Sequence, residues 1–453
     1  MIAADSARGM IPHPAALLAA GHGGGDATRP RSVTEGGHSA DPLELAGQGS
    51  TADLTVLVAS SGFREGLPPR DVAAAIAEGV HAEIPSARVL RVPVIDGSES
   101  FTTEMVRVSA GTIEHLYVVD PHGAIVTAQL GLIGPPDDRT AIIEVGEAVD
   151  LRGLPPDRRD PTRASSRGVG QLITEALDRG VGGIILGCGD SGANDGGIGM
   201  AIALGVRFLD ANRMEIAEAG GLQRLATIDL SHRDRRLDEV RIEAVVNPYD
   251  DLLGERGVTR VYGPGKGISP AQVRRLERGL AKYADVIREA LGIDVAALRG
   301  GGAAVGLGAG LVAFAGARLV PRLEFLQHSL GLEANLAGAD LVIAAAESID
   351  PQTGAGETPA WVVRRARALG LPVIELAGRA ADSDPVSVAD SIDASTVLAP
   401  APGGHDEAPA RTVEWLRGAS ARAMRVALAG LAFGAGLRTR TRQFPDHRMA
   451  TRG

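Results

Sequence analysis

Short hydrophobic runs alternate with longer stretches of helical spacing along most of the chain. Residues 54–60, LTVLVAS, are apolar and β-branched, and residues 68–84 then place apolar side chains at helical spacing behind two prolines. The same alternation returns at residues 182–208 and again at residues 339–378. Strands that alternate with helices are typical of α/β proteins, in which helices cover a parallel sheet. We therefore predict an α/β fold with largely parallel sheets.

One segment is uncharged over almost the length that a membrane helix needs. Residues 300–317 read GGGAAVGLGAGLVAFAGA, and Arg299 and Arg318 flank them. Glycine and alanine dominate the segment, and such small side chains gain little free energy on transfer into lipid. We expect a buried or loop-to-helix segment, and no membrane association.

Composition narrows the class of protein. The first 52 residues are polar and glycine-rich without periodicity, and we predict a disordered tail there and a short tail at residues 441–453. The formal net charge of −10 offers no basic footprint for nucleic acid. Cys188 is the single cysteine, so no intrachain disulfide can form, and no secretion signal is apparent. We expect a cytoplasmic protein that does not bind nucleic acid.

The strand-to-helix turn GCGDSGANDGGIGM, residues 187–200, concentrates glycine and acidic side chains. It places Asn194 and Asp195 at the expected start of a helix, where unpaired N–H groups attract anions. A carboxylate there can accept a hydroxyl proton or hold Mg²⁺, and phosphoryl transfer needs both functions. The alternative is that both residues are ordinary caps and the glycines only close a turn.

Five segments, in the same order, resemble motifs of the bacterial glycerate kinase family, and the resemblance runs from about residue 54 to 380. The turn above is similar to the G-x-GGS-x-TNDGG-x-GM signature, and LRGGGAAVGLGAGL is similar to the GAGAAGG loop. The other three segments are RDPTRASSRGVGQLITEAL, VNPYDDLLGERGVTRVYGPGKG, which resembles NPL-x-G and FGPQKGA, and DLVIAAAESIDPQTGAGETP, which resembles DLVITGEG-x-x-D-x-QT-x-x-GK-x-P.

This resemblance implies a fold and an activity. It implies a Rossmann-like α/β domain from residues 53–95 and 281–440, an inserted α/β domain from residues 96–280, and an active site in the cleft between them. The implied activity is transfer of phosphate from ATP, with Mg²⁺, to a hydroxyl of glycerate or a related small hydroxy acid or polyol. A homodimer is a possible assembly of the chain.

The resemblance also implies site residues, which fall into three groups. The implied catalytic residues are Asp195, Arg64 and Lys266; the substrate-binding residues are Asp96, Glu99, Ser165, Ser166, Ser191 and Asn194; the cofactor-binding residues are Gly301, Gly302, Gly306, Glu347 and Asp350. No metal ligand is assigned. Asp195 is the first candidate for the base or the substrate-orienting group. The alternatives are that Lys266 is a solvated turn lysine and that Glu347 and Asp350 only cap the next segment.

Several residues depart from the family motifs. Arg64 stands where the motif has lysine, Asp190 where it has glycine, Ala244 where it has aspartate, and Glu357 where it has lysine. Like charges about 4 Å apart repel by about 4 kcal/mol at an effective dielectric constant near 20, so Glu357 cannot face a phosphate unaided.

Three functions stay open at this point. The first is an active kinase with a reshaped pocket, and the second is a ligand-binding or regulatory protein that has lost phosphoryl transfer. The third is a dehydrogenase, which is disfavoured because no G-x-G-x-x-G motif follows a strand with an acidic residue about 20 positions later.

Overall fold

A computed structural model describes residues 54–63, 67–94, 100–149, 160–189, 191–329, 332–349, 358–380, 394–397 and 409–442. The predicted tails, residues 1–52 and nearly all of 441–453, lie outside them. The chain divides into two compact units. The first unit runs from Ile95 to Gly331, and the second unit combines the described residues up to Val94 with those from Leu332 onward.

The strands are labelled in chain order. They are β1 Thr55–Ser60, β2 Arg88–Pro93, β3 Thr112–Val119, β4 Ile125–Ile133, β5 Thr140–Glu144, β6 Gly183–Gly187, β7 Arg207–Asp210, β8 Leu225–Asp229, β9 Arg241–Val246, β10 Arg318–Pro321, β11 Leu341–Ile349, β12 Val373–Ala380 and β13 Ala394–Val397.

The helices are labelled in the same way. They are α1 Pro69–Glu83, α2 Phe101–Val108, α3 Gly146–Val149, α4 Arg167–Asp178, α5 Ile198–Ala203, α6 Val258–Tyr262, α7 Pro270–Leu291, α8 Ala303–Gly310, α9 Arg322–Ser329, α10 Leu332–Ala337, α11 Thr358–Ala368 and α12 Pro409–Arg442. Short 3₁₀ turns cover Ala219–Arg224, Arg235–Asp238 and Pro264–Lys266, and a π turn covers Leu311–Ala315.

Each unit is built around one main sheet. In the second unit the order is β13-β12-β11-β1-β2, and all of these pairings are parallel. In the first unit the order is β10-β9-β6-β5-β4-β3, with parallel pairing from β10 to β5 and antiparallel pairing of β5 with β4 and of β4 with β3. The predicted α/β fold with largely parallel sheets is confirmed.

The central parallel strands are mostly apolar because both faces of the sheet are covered. Every residue of β5 and β6 is buried. β6 lies between β5 and β9, and all three strands run in the same direction. Ligand sites of open α/β sheets lie beyond the carboxyl ends of such strands, so the loop after β6 is the first place to examine.

Helix α7 fixes one face of the first unit's core. It begins at Pro270 behind a capping box in which the Ser269 and Gln272 side chains each bind the other's backbone N–H. Its buried face includes Tyr283, whose ring lies 6.3 Å from those of Phe208 and Phe314.

Our domain boundary at residues 280/281 falls inside α7. The helix packs on a single core on both sides of that point, because Leu280, Tyr283 and Ile287 join one hydrophobic cluster. The described residues up to 329 accordingly belong to the first unit. The predicted boundaries stay a prediction, and the two compact units differ from them here.

The uncharged segment at residues 300–317 forms α8 and the π turn that follows it. Residues 300–311 of this segment are all buried in the first unit, as expected from the sequence. In the described part of the chain, no helix combines the length and the apolar character needed to cross a bilayer.

Candidate active site

The loop that joins β6 to α5, residues 188–197 (the β6 loop), is packed closely against the rest of its unit. Gly196 and Gly197 have φ values of +66° and +83°, in the left-handed region. A Cβ on Gly196 would lie 2.9 Å from the ring of Tyr283, whose hydroxyl donates to the Gly196 carbonyl oxygen at 2.7 Å. Backbone conformation and close approach both require glycine here.

Asp195 is buried and anchors this loop. Its Oδ2 accepts hydrogen bonds from the Ser166 backbone N–H at 2.8 Å, the Ser166 hydroxyl at 2.9 Å and the Gly199 N–H at 3.0 Å. Its Oδ1 accepts one hydrogen bond, from the Gly197 N–H at 2.9 Å. The carboxylate therefore holds the start of α5 and the segment before α4 together.

These bonds limit what Asp195 can do to a substrate. Oδ2 already has three donors, so Oδ1 is the oxygen with a lone pair left for a ligand. Burial raises the pKa of the Asp195 carboxyl, while the four hydrogen bonds stabilise the ionised form and limit that rise. The geometry makes Asp195 an anchor first, and its role as base or orienting group stays a prediction.

The two predicted serines have different surroundings. The Ser166 hydroxyl donates to Asp195 and accepts from the Met200 N–H at 3.0 Å, so it is committed to the protein. Ser165 is half-buried, and its hydroxyl oxygen accepts from the Arg167 N–H at 3.3 Å. Of the two, Ser165 is the better placed to contact a ligand.

Asn194 is 2 % exposed and has a half-satisfied amide. Its Oδ1 accepts a hydrogen bond from the hydroxyl of Thr259, on α6, at 3.0 Å. Its Nδ2 is buried, and nothing within the described residues accepts a hydrogen bond from it. A buried amide nitrogen without an acceptor is costly in a folded protein, which makes this atom a candidate ligand donor.

Lys266 also reaches the β6 loop. Its Nζ donates to the carbonyl oxygen of Ser191 and lies 6.0 Å from the centroid of the Tyr262 ring. The Ser191 hydroxyl exchanges hydrogen bonds with the backbone of Ala193. The ammonium group is therefore bound to the loop that carries Asn194, and the catalytic role of Lys266 stays a prediction.

Asp250 is a neighbour of this group that sequence reasoning missed. Its Oδ1 accepts from the Tyr262 hydroxyl at 2.9 Å and from the Asn247 amide at 3.0 Å. Burial raises the pKa of Asp250, and the Tyr262 hydrogen bond and the positive charges of Arg322 and Lys266 act in the opposite direction. The doubled aspartate in Asn-Pro-Tyr-Asp-Asp, residues 247–251, was the available signal.

The glycines predicted to bind the cofactor use their N–H groups inside the protein. Gly301 donates to the Leu298 carbonyl oxygen, Gly302 to that of Asp250, and Gly306 to that of Gly302. All three glycines are buried. This geometry gives no support to phosphate binding by their N–H groups, and the cofactor role stays a prediction.

The same segment contains unusual backbone. Ala304 and Val305 have φ values of +48° and +55° within α8, where a β-branched residue is strained. Gly306 follows at +97°, and a Cβ there would lie 3.0 Å from the Cα of Gly196. The glycine-rich segment and the β6 loop therefore touch through their backbones.

Glu144, at the carboxyl end of β5, is a second acidic residue that sequence reasoning missed. It is 7 % exposed, and its carboxylate accepts hydrogen bonds from the N–H groups of Ser100, Phe101 and Thr102 at the start of α2. Burial raises the pKa of Glu144 to about 8, and the charge of Glu147 contributes to the rise. A glutamate that ends an otherwise apolar strand was the signal.

The remaining predicted residues cannot be placed in this site. Glu347 lies in β11 of the second unit, and only its backbone is described. Among the described residues, no group of three or more His, Cys, Asp or Glu side chains is arranged to hold a metal ion. The predicted residues outside the described ranges are Arg64, Asp96, Glu99 and Asp350, together with the departures Asp190 and Glu357.

Comparison with known proteins gives consistent results. Residues 56–428 match the model of the glycerate kinase family. A glycerate kinase of Halalkalibacterium halodurans is 39 % identical over 355 residues, which cover 78 % of this chain and 93 % of the relative. A glycerate 2-kinase of Escherichia coli is 38 % identical over 356 residues, with the same coverage.

A solved structure agrees with these relatives. It is a crystal structure described as a glycerate kinase 2 from Salmonella typhimurium LT2, 39 % identical, with a TM-score of 0.68. The similarity covers 83 % of this chain and 99 % of that one. Family match, sequence identity and fold together show that this chain belongs to the glycerate kinase family.

Proposed function

We propose that this chain transfers the terminal phosphoryl group of ATP to a hydroxyl of glycerate. The observation that carries the proposal is the pair of donors at the β6 loop, the Lys266 ammonium group and the buried Asn194 amide, in a chain whose relatives are named glycerate kinases. A small hydroxy acid has a carboxylate and hydroxyl oxygens, and both accept hydrogen bonds from such donors.

Three side chains of the first unit have roles in this proposal. Lys266 attracts the negative charge of the acid, and Asn194 donates a hydrogen bond to one of its oxygens. Asp195 holds the loop in place through Oδ2 and orients the reacting hydroxyl through Oδ1, the atom that accepts a single bond. Positioning and charge stabilisation are the main contributions that a protein makes to phosphoryl transfer.

Mg²⁺ is part of the proposal because it binds the phosphates of ATP. Mg²⁺ keeps several waters and is usually held by one or two carboxylates together with substrate phosphates, so a cluster of three protein ligands is not required. Glu347 and Asp350 keep the cofactor-binding role that the resemblance implies, and no metal ligand is assigned. When bound, the ion neutralises charge on the phosphates.

The alternative of a degenerate, ligand-binding protein has no observation in its favour. Ala244, one departure that motivated it, lies fully buried in β9, in register with Leu186 of β6 and Leu319 of β10. That change therefore affects the interior of the sheet. The dehydrogenase alternative is wrong, because the chain belongs to a kinase family.

A phosphoryl-transfer assay tests the proposal. The protein is incubated with Mg²⁺/ATP and a panel of small hydroxy acids and polyols, and ³¹P NMR identifies the product and the hydroxyl that was modified. We expect ADP and a phosphoglycerate. Absence of transfer to every acceptor would overturn the kinase proposal.

The chain offers a matched control for Lys266. Lys266 and Lys282 are its only lysines, and Lys282 is exposed on α7. Lys266→Gln should lower kcat/KM for glycerate about 10-fold or more, since a charge-assisted hydrogen bond contributes about 1.5–3 kcal/mol. Lys282→Gln should leave kcat/KM unchanged. Equal activity of the two variants would remove Lys266 from the site.

A further inference from the structure

We infer that Thr259 is a positioning residue that fixes the amide orientation of Asn194, so that Nδ2 faces an oxygen of the acceptor substrate. This inference rests on the proposed function and extends it to a residue that touches no substrate itself. The juxtaposition that carries it is the Thr259 hydroxyl 3.0 Å from Asn194 Oδ1, with Nδ2 of the same amide buried and without a partner among the described residues.

An asparagine amide can be flipped by 180° with little change of shape, exchanging one acceptor for two donors. In the structure the Thr259 hydroxyl donates its proton to Oδ1, and this hydrogen bond holds the amide in the orientation observed. The donor end is then held on the other side of the amide. Asn194 is 2 % exposed and Thr259 is 1 % exposed, so bulk water does not compete strongly for either group.

Thr259 is well suited to hold this orientation. It lies in α6, and the Gly263 N–H donates to its backbone carbonyl oxygen at 3.1 Å. The same short segment continues to Lys266, which binds Ser191 on the β6 loop. Helix α6 and the turn after it therefore hold the β6 loop at two points, three residues apart along the loop.

The chemical class of the ligand follows from the unused hydrogen-bonding capacity of Nδ2. Nδ2 is a donor without charge, so it binds an oxygen lone pair and cannot bind a cation or another donor. Leaving it unpaired in the folded protein costs free energy, which a substrate oxygen recovers on binding. We assign that oxygen to the acceptor acid rather than to ATP, because Asn194 is adjacent to Asp195, whose Oδ1 orients the reacting hydroxyl in the proposed function.

Variants at Thr259 test the inference. Thr259→Val keeps the shape and removes the hydroxyl, whereas Thr259→Ser keeps the hydroxyl and removes a methyl group. We expect Thr259→Val to raise KM for glycerate about 10-fold with little change in KM for ATP, and Thr259→Ser to restore KM to within about twofold of the wild type. Asn194→Asp, which replaces the donor with an acceptor, should raise KM for glycerate by more than Thr259→Val does.

Other outcomes overturn the assignment. If Thr259→Ser and Thr259→Val raise KM equally, the hydroxyl is not responsible and Thr259 only fills space. If KM for ATP rises while KM for glycerate does not, Nδ2 serves the nucleotide. Melting temperatures of both variants are recorded, and if the valine variant does not fold, Thr259→Ala replaces it in the same comparison.

A binding measurement separates this inference from the proposed function. Glycerate binding to the wild type and to the Thr259 variants is measured by isothermal titration calorimetry. If the wild type binds glycerate without phosphorylating it, the kinase proposal fails and the affinities of the Thr259 variants still decide the inference. If the wild type binds no hydroxy acid, both are overturned.

Discussion

Glu144→Gln should remove a loss of stability that the wild-type protein suffers as the pH rises. The pKa of Glu144 is about 8 in the folded protein, against an ordinary value of 4.5. Between these two pH values the folded state holds a proton that the unfolded state has released, so the stability of the wild type falls as pH increases through this interval. Glutamine is neutral at every pH and shows no such fall.

The magnitude follows from the interval between the two pKa values. At about 1.4 kcal/mol per pH unit, the full interval corresponds to about 5 kcal/mol. Between pH 6 and pH 8, the wild type should lose about 2 kcal/mol more than the variant. Glutamine has one acceptor oxygen for the N–H groups of Ser100, Phe101 and Thr102, and the bond that it loses lowers stability equally at both pH values. The pH dependence is therefore the diagnostic quantity.

Urea denaturation at pH 6 and pH 8 measures this difference, and the chain allows the two units to be followed separately. Both of its tryptophans, Trp361 and Trp415, lie in the second unit. Far-UV circular dichroism reports on both units, whereas tryptophan fluorescence reports on the unit that lacks Glu144. Glu375→Gln is a matched variant, because burial raises the pKa of Glu375, in β12 of the second unit, to about 7.

The two variants should differ in which transitions they affect. Glu144→Gln should change the pH dependence of the circular-dichroism transition alone, whereas Glu375→Gln should change that of both transitions, because circular dichroism reports on both units. Glu239→Gln, at an exposed position, controls for net charge and should alter neither transition. A wild type and a Glu144→Gln variant that lose equal stability between pH 6 and pH 8 would refute protonation of Glu144 in the folded protein.

Three further outcomes are expected. Burial raises the pKa of the Cys188 thiol to about 12, so a thiol reagent at pH 8 should modify the native protein at least about 100-fold more slowly than the urea-unfolded protein; equal rates would contradict its burial. Gly306→Ala should cost more stability than Gly254→Ala, by about 1–2 kcal/mol in urea denaturation, because both positions have left-handed φ values but only at Gly306 would a Cβ approach a backbone atom, the Gly196 Cα; equal losses would show that the contact is unimportant. Asp195→Asn should lower stability by about 2 kcal/mol as well as activity, since an amide NH₂ cannot accept from the N–H groups that the carboxylate binds; a variant of unchanged stability would refute the anchoring role.

The fold was predictable where the local periodicity of hydrophobic residues determines the secondary structure. Fully apolar runs such as β6 indicate strands covered on both faces, and helical spacing after each run indicates the crossover connections of a parallel sheet. The antiparallel pairing of β3, β4 and β5 was not predictable, because strand direction depends on partners that are distant in sequence. The first compact unit extends past our predicted boundary at residues 280/281 because both halves of α7 pack on one core, and the domain boundaries stay a prediction.

Candidate site residues could be selected from the sequence where one continuous loop carries them. The β6 loop carries Ser191, Asn194 and Asp195 in five consecutive residues, so a motif was enough to select them. Thr259 and Glu144 were not selected, because their roles depend on contacts with elements distant in sequence. Neither an isolated threonine nor a glutamate at a strand end shows its burial or its partner in the sequence.

The sequence also suggested that the start of α5 would attract an anionic ligand, and the structure shows that an anion of the protein occupies that position. The N–H groups of Gly197 and Gly199 both donate to the Asp195 carboxylate, which satisfies the first turn of the helix. Because those donors are taken, the charge of a bound acid is better met by side chains, and among the described residues the Lys266 ammonium group and Asn194 Nδ2 are two such donors, one reaching the loop and one belonging to it. Anion affinity in this protein should therefore depend on the two contacts that α6 and the following turn make with the β6 loop, and much less on the dipole of α5.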